Sequence, residues 1–194
     1  LTRIKALFFE NKAQAAHKNV ANCQYLIVPR HPQRFDEVAQ LIAAQGWHCR
    51  RRADWGRELQ NADEEPTIWL GDSLGEMAFY YSMADVALLG GSFAPLGGQN
   101  LIEAAACACP LVLGPHTFNF AQAAEQAVAT GAALRVPDLS AALQAAHHLL
   151  ADPSTLSHAR AQALHFARSQ QGGTEATAQQ VLALCQSSHA ADHC

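Results

Sequence analysis

The 194-residue chain carries a net charge of −4, with 49% apolar and 15% charged residues, the balance of an ordinary folded domain large enough for one α/β core. This balance excludes a disordered chain, and it offers no clustered basic surface of the kind that nucleic-acid binding needs. No apolar run reaches the roughly 18 residues of a membrane span, and the start, Leu1-Thr2-Arg3-Ile4-Lys5, lacks the pattern of a signal peptide.

In chain order, residues 25–28 (YLIV) form the first clear apolar run, and its continuous character predicts a strand buried on both faces. Residues 33–44 follow with Phe35, Val38, Leu41 and Ile42 at helical spacing. Arg50-Arg51-Arg52 reads as a solvated strand end. Further buried strands are predicted at 67–70, 86–89 and 111–113, with a last one near 133–136, and helices at 76–83 and 100–108 lie between them. Helices near 138–151, 153–169 and 174–186 complete the chain before a frayed tail at 187–194. This alternation predicts an α/β, Rossmann-like, doubly wound parallel sheet, whose ligands bind at the carboxyl ends of the strands.

The six cysteines show no CxxC pair and the ten histidines no HExxH, so no metal site is predicted. Cys107 and Cys109 read as small hydrophobes at the end of an apolar helix. The most informative stretch is residues 90–103 (GGSFAPLGGQNLIE), a glycine-rich loop between a strand and a helix. Glycines let backbone amides approach a phosphate closely, and a helix start directs free N–H groups to the same place. Asn100 and Glu103, three apart, share one face of the first turn. Glu103 can accept from two ribose hydroxyls, or merely complement the helix dipole; Asn100 can orient a phosphate, or merely cap. The loop matches neither GxGxxG nor GxxxxGK[ST], against NAD and a P-loop ATPase. Arg30, just after the 25–28 strand, faces the same edge and can fork onto a phosphate, whereas His31 between prolines shapes the loop. Gly71-Asp72-Ser73-Leu74-Gly75 matches both GxSxG and the GDSL hydrolase signature, yet no aspartate has a histidine three residues on. The alternative is a turn whose Asp72 or Ser73 caps the next helix.

The ordered series VPRHPQRF (28–35), GDSLGEM (71–77), DVALLGGSFAPLGGQNLIEAA (85–105) and GPHTFNF (114–120) resembles the C-terminal domain of bacterial 3-deoxy-D-manno-octulosonic acid (Kdo) transferases, over roughly residues 24–185. The resemblance implies one half of a GT-B glycosyltransferase, with residues 1–186 as the domain that binds the donor CMP-Kdo. It also implies inverting transfer of Kdo to the lipid A precursor, in lipopolysaccharide biosynthesis at the cytoplasmic face of the bacterial inner membrane. No cofactor or obligatory metal is implied. Carried onto this sequence, Arg30, Gly97, Gly98, Asn100 and Glu103 fall on the donor-site motifs, and Glu76 and Ser92 match positions that line the pocket. Gln99 stands where the family most often has histidine, and residues 1–22 do not reproduce the family's usual start. The family's general base, acceptor groove and membrane-anchoring segment belong to an N-terminal domain that this sequence lacks, so no catalytic residue is expected here. Alternatives are a GT-B transferase using a UDP-sugar, a non-catalytic nucleotide-binding module and, least favoured, a GDSL-type serine hydrolase.

Overall fold

The computed structural model describes residues 5–6, 23–55 and 67–171. The predicted helix at 174–186, the tail at 187–194 and all but Lys5 and Ala6 of the atypical start lie outside the described residues. Strands β1 (Lys5–Ala6), β2 (Tyr25–Ile27), β3 (His48–Arg51) and β4 (Thr67–Leu70) form one sheet in the order β1-β2-β4-β3. Strands β5 (Ala87–Leu89), β6 (Leu111–Leu113) and β7 (Ala133–Arg135) form a second, in sequence order. Every pairing is parallel, and β1 comes within 8 Å of β5 at the Cα level.

Period-2 alternation decides what each strand buries. Leu26, Val28 and Trp69 from the first sheet share a core with Ala87, Leu89, Leu111 and Leu113 from the second, so the two sheets present one common face. Ile27, Ile68 and Leu70 point the other way, onto Val38 and Ile42 of helix α1 (Phe35–Ala44). Leu88 and Val112 turn to the opposite side of the second sheet, against Ala142, Ala146 and Leu149 of α5 (Leu139–Ala151). With both faces covered, continuous apolar runs are what the strands require.

The common face is covered by α2 (Met77–Met83), α3 (Ile102–Ala106), α4 (Ala121–Ala129) and α6 (Pro153–Gln170), which supply Tyr80, Ala104, Ala124 and Phe166 to the core. Asp138 caps α5 and Asp152 caps α6, each accepting from a backbone N–H of the first turn. Pro153 opens α6 with its fixed φ. Asp85, buried before β5, is ion-paired with Arg160 of α6, tying that helix across the sheet.

Three expectations change. The helix predicted at 100–108 is the five-residue α3, because Ala108 takes a left-handed φ of 55° and Cys109 N returns to Ala104 O at 3.1 Å. Pro110 then begins the extended approach to β6. Leu41 is 46% exposed, while Val38 and Ile42 are the buried residues of α1. Helix α4 is an addition that the sequence reading lacked.

Phe166 has no exposed surface. Phe166→Ala is therefore expected to cost about 3–5 kcal/mol, and urea denaturation monitored by circular dichroism measures it.

Candidate functional site

Parallel pairing aligns the strand ends within each sheet. The registers Ile27↔Leu70, Arg51↔Leu70, Leu89↔Leu113 and Leu113↔Arg135 align the last residues of β2, β3, β4, β5, β6 and β7. The loops carrying Arg30, Asp72, the 90–103 glycines and Gly114 therefore leave the sheet on the same side. The order of connection reverses where β1 and β5 adjoin, and the loop after β5 flanks that switch point, where open α/β sheets take their ligands.

The glycine loop is built against the loop after β6. Ser92 is fully buried, and its Oγ donates to Leu89 O at 2.5 Å and accepts from Gly114 N at 2.7 Å. Its side chain is thus a brace inside the turn. His116 N donates to Ser92 O at 2.9 Å, and Asn119 N donates to Gly97 O at 3.1 Å. Asn119 Nδ2 also reaches Leu96 O at 3.2 Å. Gly97 and Gly98 adopt φ of 86° and 84°, a region that only glycine enters freely. A Cβ on Gly97 would stand 2.2 Å from Asn119 Nδ2.

Asn100 accepts from Ile102 N at 3.1 Å and donates through Nδ2 to Glu103 Oε1 at 3.0 Å. The predicted shared face is present, and Asn100 Oδ1 accepts from the first N–H of α3. That occupies one of the backbone donors at the helix start. Glu103 is exposed and keeps acceptor capacity on its carboxylate. Arg30 is exposed just beyond β2 and has no hydrogen bond or ion pair with the described residues.

Glu76 is differently placed. Arg52 donates to its two carboxylate oxygens at 2.9 Å each, and Ser73 and Tyr80 hydroxyls add to them. The Arg52 guanidinium also lies 5.1 Å from the ring centres of both Trp55 and Phe79. Arg51 pairs with Asp36 and Asp72, and Arg52 N donates to Asp72 Oδ1 at 2.8 Å. The arginine run is therefore part of an ion-pair network rather than a solvated strand end. Asp72 and Ser73 are committed to this network, so neither caps α2, whose N-cap position is Glu76 and which has no side-chain cap. Ser73 is bonded to Glu76 and Tyr80, not to a histidine base, and this removes the support for a hydrolase.

The sequence reading gave no individual role to residues 114–120, yet Gly114 and Asn119 hold the glycine loop in place. A Cβ on Gly114 would meet Ser92 O at 2.3 Å, so a glycine directly after an apolar strand was the available signal. An open groove of about 440 Å³ begins at Asn119 and runs between Phe120, Gln122 and Gln126 of the α4 side and Ser169 and Gln170 of α6. It includes none of the residues predicted for the site. Among the described residues no three His, Cys, Asp or Glu side chains gather to hold a metal, and no helix is long and apolar enough to cross a membrane.

No family model matches the chain. Over 130 residues it is 56% identical to the 3-deoxy-D-manno-octulosonic acid transferase of Bordetella pertussis, an alignment covering 66% of this chain and 29% of that protein. It is 38% identical to the enzyme of the same name from Haemophilus influenzae, covering 64% of this chain and 28% of the relative. The crystal structure of the C-terminal CMP-Kdo binding domain of WaaA from Acinetobacter baumannii superposes with a TM-score of 0.70 at 25% identity, covering 85% of this chain and 89% of that domain. The chain is a homologue of the Kdo transferases. It spans less than a third of the length of the curated relatives it matches and most of the solved domain. Sucrose-phosphate synthase from Thermosynechococcus elongatus matches with a TM-score of 0.61 at 20% identity, over 97% of this chain and 46% of that one, and shares the fold. These relationships agree with the Rossmann-like half of a GT-B glycosyltransferase expected from the sequence.

Two outcomes follow from the geometry. Gly46→Ala, at φ 75° with no atom within 4 Å of the new Cβ, is expected to cost about 1 kcal/mol. Gly97→Ala, which adds a clash to the same conformational penalty, should cost about 3 kcal/mol, and paired urea titrations compare them. Arg52, followed by Ser73, holds the Glu76 carboxyl below its ordinary 4.5. Its stabilising contribution is thus complete above that value and is lost as pH falls through the lower folded value. The melting temperature of the parent chain should drop more steeply below pH 4.5 than that of Arg52→Met, as thermal melts across an acid series would show.

Proposed function

We propose that this chain is the donor-binding domain of a Kdo transferase, holding CMP-Kdo for transfer to a lipid A precursor in lipopolysaccharide biosynthesis. The observation that carries this reading is the match across 89% of a CMP-Kdo binding domain, joined to 56% identity with a named transferase. On this reading the donor-binding domain spans residues 1–186, and a second domain supplies the acceptor groove, the general base and the membrane contact at the cytoplasmic face of the inner membrane. Arg30, exposed and without an ion pair among the described residues, is suited to a donor phosphate or carboxylate. Glu103 is oriented by Asn100 and accepts from the ribose hydroxyls. Gly97 and Gly98 bring main chain close to the nucleotide, and Glu76, fixed by Arg52, shapes the adjoining turn without using its carboxylate on the ligand.

Transfer breaks the bond between the Kdo anomeric carbon and the CMP phosphate oxygen. The bonding pair leaves with CMP, and the acceptor hydroxyl attacks from the opposite face, inverting the centre. A base on the second domain takes the hydroxyl proton. This domain's part is to stabilise the negative charge growing on the leaving phosphate, which the Arg30 guanidinium and main-chain N–H groups of the glycine loop can do without a metal.

Calorimetric titration of the chain with CMP and with UDP tests the reading, with CMP binding in EDTA and no UDP binding expected. Preference for UDP would favour a UDP-sugar transferase. Purified chain alone should transfer no Kdo. Glu103→Ala should weaken CMP binding about ten- to hundredfold with the melting temperature nearly unchanged. An unchanged dissociation constant with a lowered melting temperature would reduce Glu103 to a partner of the helix dipole.

A further inference from the structure

Three polar side chains of residues 90–103 are committed within the protein. Ser92 braces the turn, Asn100 accepts from the first N–H of α3, and Glu103 receives the Asn100 amide. Gln99 is the exception. Its Oε1 is buried and has no hydrogen-bond partner among the described residues, although the residue as a whole is half-buried. The backbone on either side is pinned, by Gly98 N donating to Gly91 O at 3.3 Å and by Asn100 accepting from Ile102 N at 3.1 Å. Main-chain movement is thereby limited on both sides of Gln99, and the oxygen gains a partner by rotation of its own side chain.

A buried carbonyl oxygen without a donor has lost its hydration and gained nothing in exchange. Folded proteins rarely keep such a group without a use for it. Gln99 lies in the strand-to-helix loop beside the switch point, one residue from Asn100 and four from Glu103. Its carboxamide is neutral, so it can offer an acceptor near a ligand phosphate without repelling it.

We propose that Gln99 is a nucleotide-binding residue. On binding, its carboxamide turns outward and Oε1 accepts a hydrogen bond from a donor group of the nucleoside. That group is either a ribose hydroxyl or the exocyclic amine of the base, both of which present the same O–H or N–H chemistry. Binding then gains a hydrogen bond and also gives the unpaired oxygen a partner. The inference rests on the loop being a nucleotide site.

Gln99→Met tests it, because methionine keeps the length of the side chain and cannot make the bond. Removing the orphan oxygen should raise the melting temperature of the unliganded chain by about 2–4 °C, while the dissociation constant for CMP rises about tenfold. Titrations with 2′-deoxy-CMP and UMP assign the donor. The penalty of Gln99→Met disappears with 2′-deoxy-CMP if the ribose hydroxyl is the partner, and with UMP if the amine is. An unchanged CMP dissociation constant in Gln99→Met, where the parent chain binds CMP, overturns the role of Gln99 and leaves the nucleotide site standing. Absence of CMP binding by the parent chain overturns both.

Discussion

The candidate site depends on two loops approaching more closely than a Cβ allows. Ser92 O and Gly114 are so near that any side chain at 114 would overlap it, and Gly97 stands in the same relation to Asn119. The contact exists because β5 and β6 pair in parallel with Leu89 opposite Leu113, which starts both loops level at the sheet edge. From there Ser92 bonds across to Gly114, Asn119 bonds back to Gly97, and the chain is delivered to Asn100 at the start of α3. The exposed position of Glu103 follows from that delivery.

A second constraint is electrostatic. A chain of net charge −4 has no general attraction for an anionic donor, so binding must come from local placement. At the β3 and β4 end of the edge, Arg51 and Arg52 are consumed by Asp36, Asp72 and Glu76. This network stiffens the turn and neutralises its carboxylates. Arg30, on the neighbouring β2 loop, remains exposed. Among the described residues Arg30 thus differs from Arg51 and Arg52 in making no ion pair with a carboxylate.

Much of this was legible in the sequence, for reasons that differ from element to element. Strands β2, β4, β5 and β6 declare themselves because both faces are buried and the runs are unbroken. β3, with the sequence His48-Cys49-Arg50-Arg51, is a polar edge strand of which only the end was anticipated. Helix α4 buries only Ala124 and Ala127, and alanines among glutamines leave no strong periodic signal. The end of α3 turns on Ala108 adopting a conformation that alanine rarely takes. At the site, the Asn100–Glu103 pair was readable because three-residue spacing is a local rule. The pairing of Arg52 with Glu76 spans 24 residues and depends on the β3–β4 register, which no local pattern encodes. Ser92 in a glycine turn reads the same whether its hydroxyl meets solvent or braces a neighbour.

The turn that follows the five-residue α3 carries a thiol with an unusual situation. Cys109 is fully buried, and burial pushes its ionisation up to about 12. At neutral pH almost none of it is thiolate, the form that reacts with alkylating agents and disulfides. Its silence is thus a property of the closed core, enforced by both exclusion of reagent and suppression of the reactive species. Alkylation at this position can proceed only through openings that expose the layer where α3, β6 and α6 meet. The rate of mass gain at Cys109 is consequently a clock for how often the layer beneath the glycine loop comes apart.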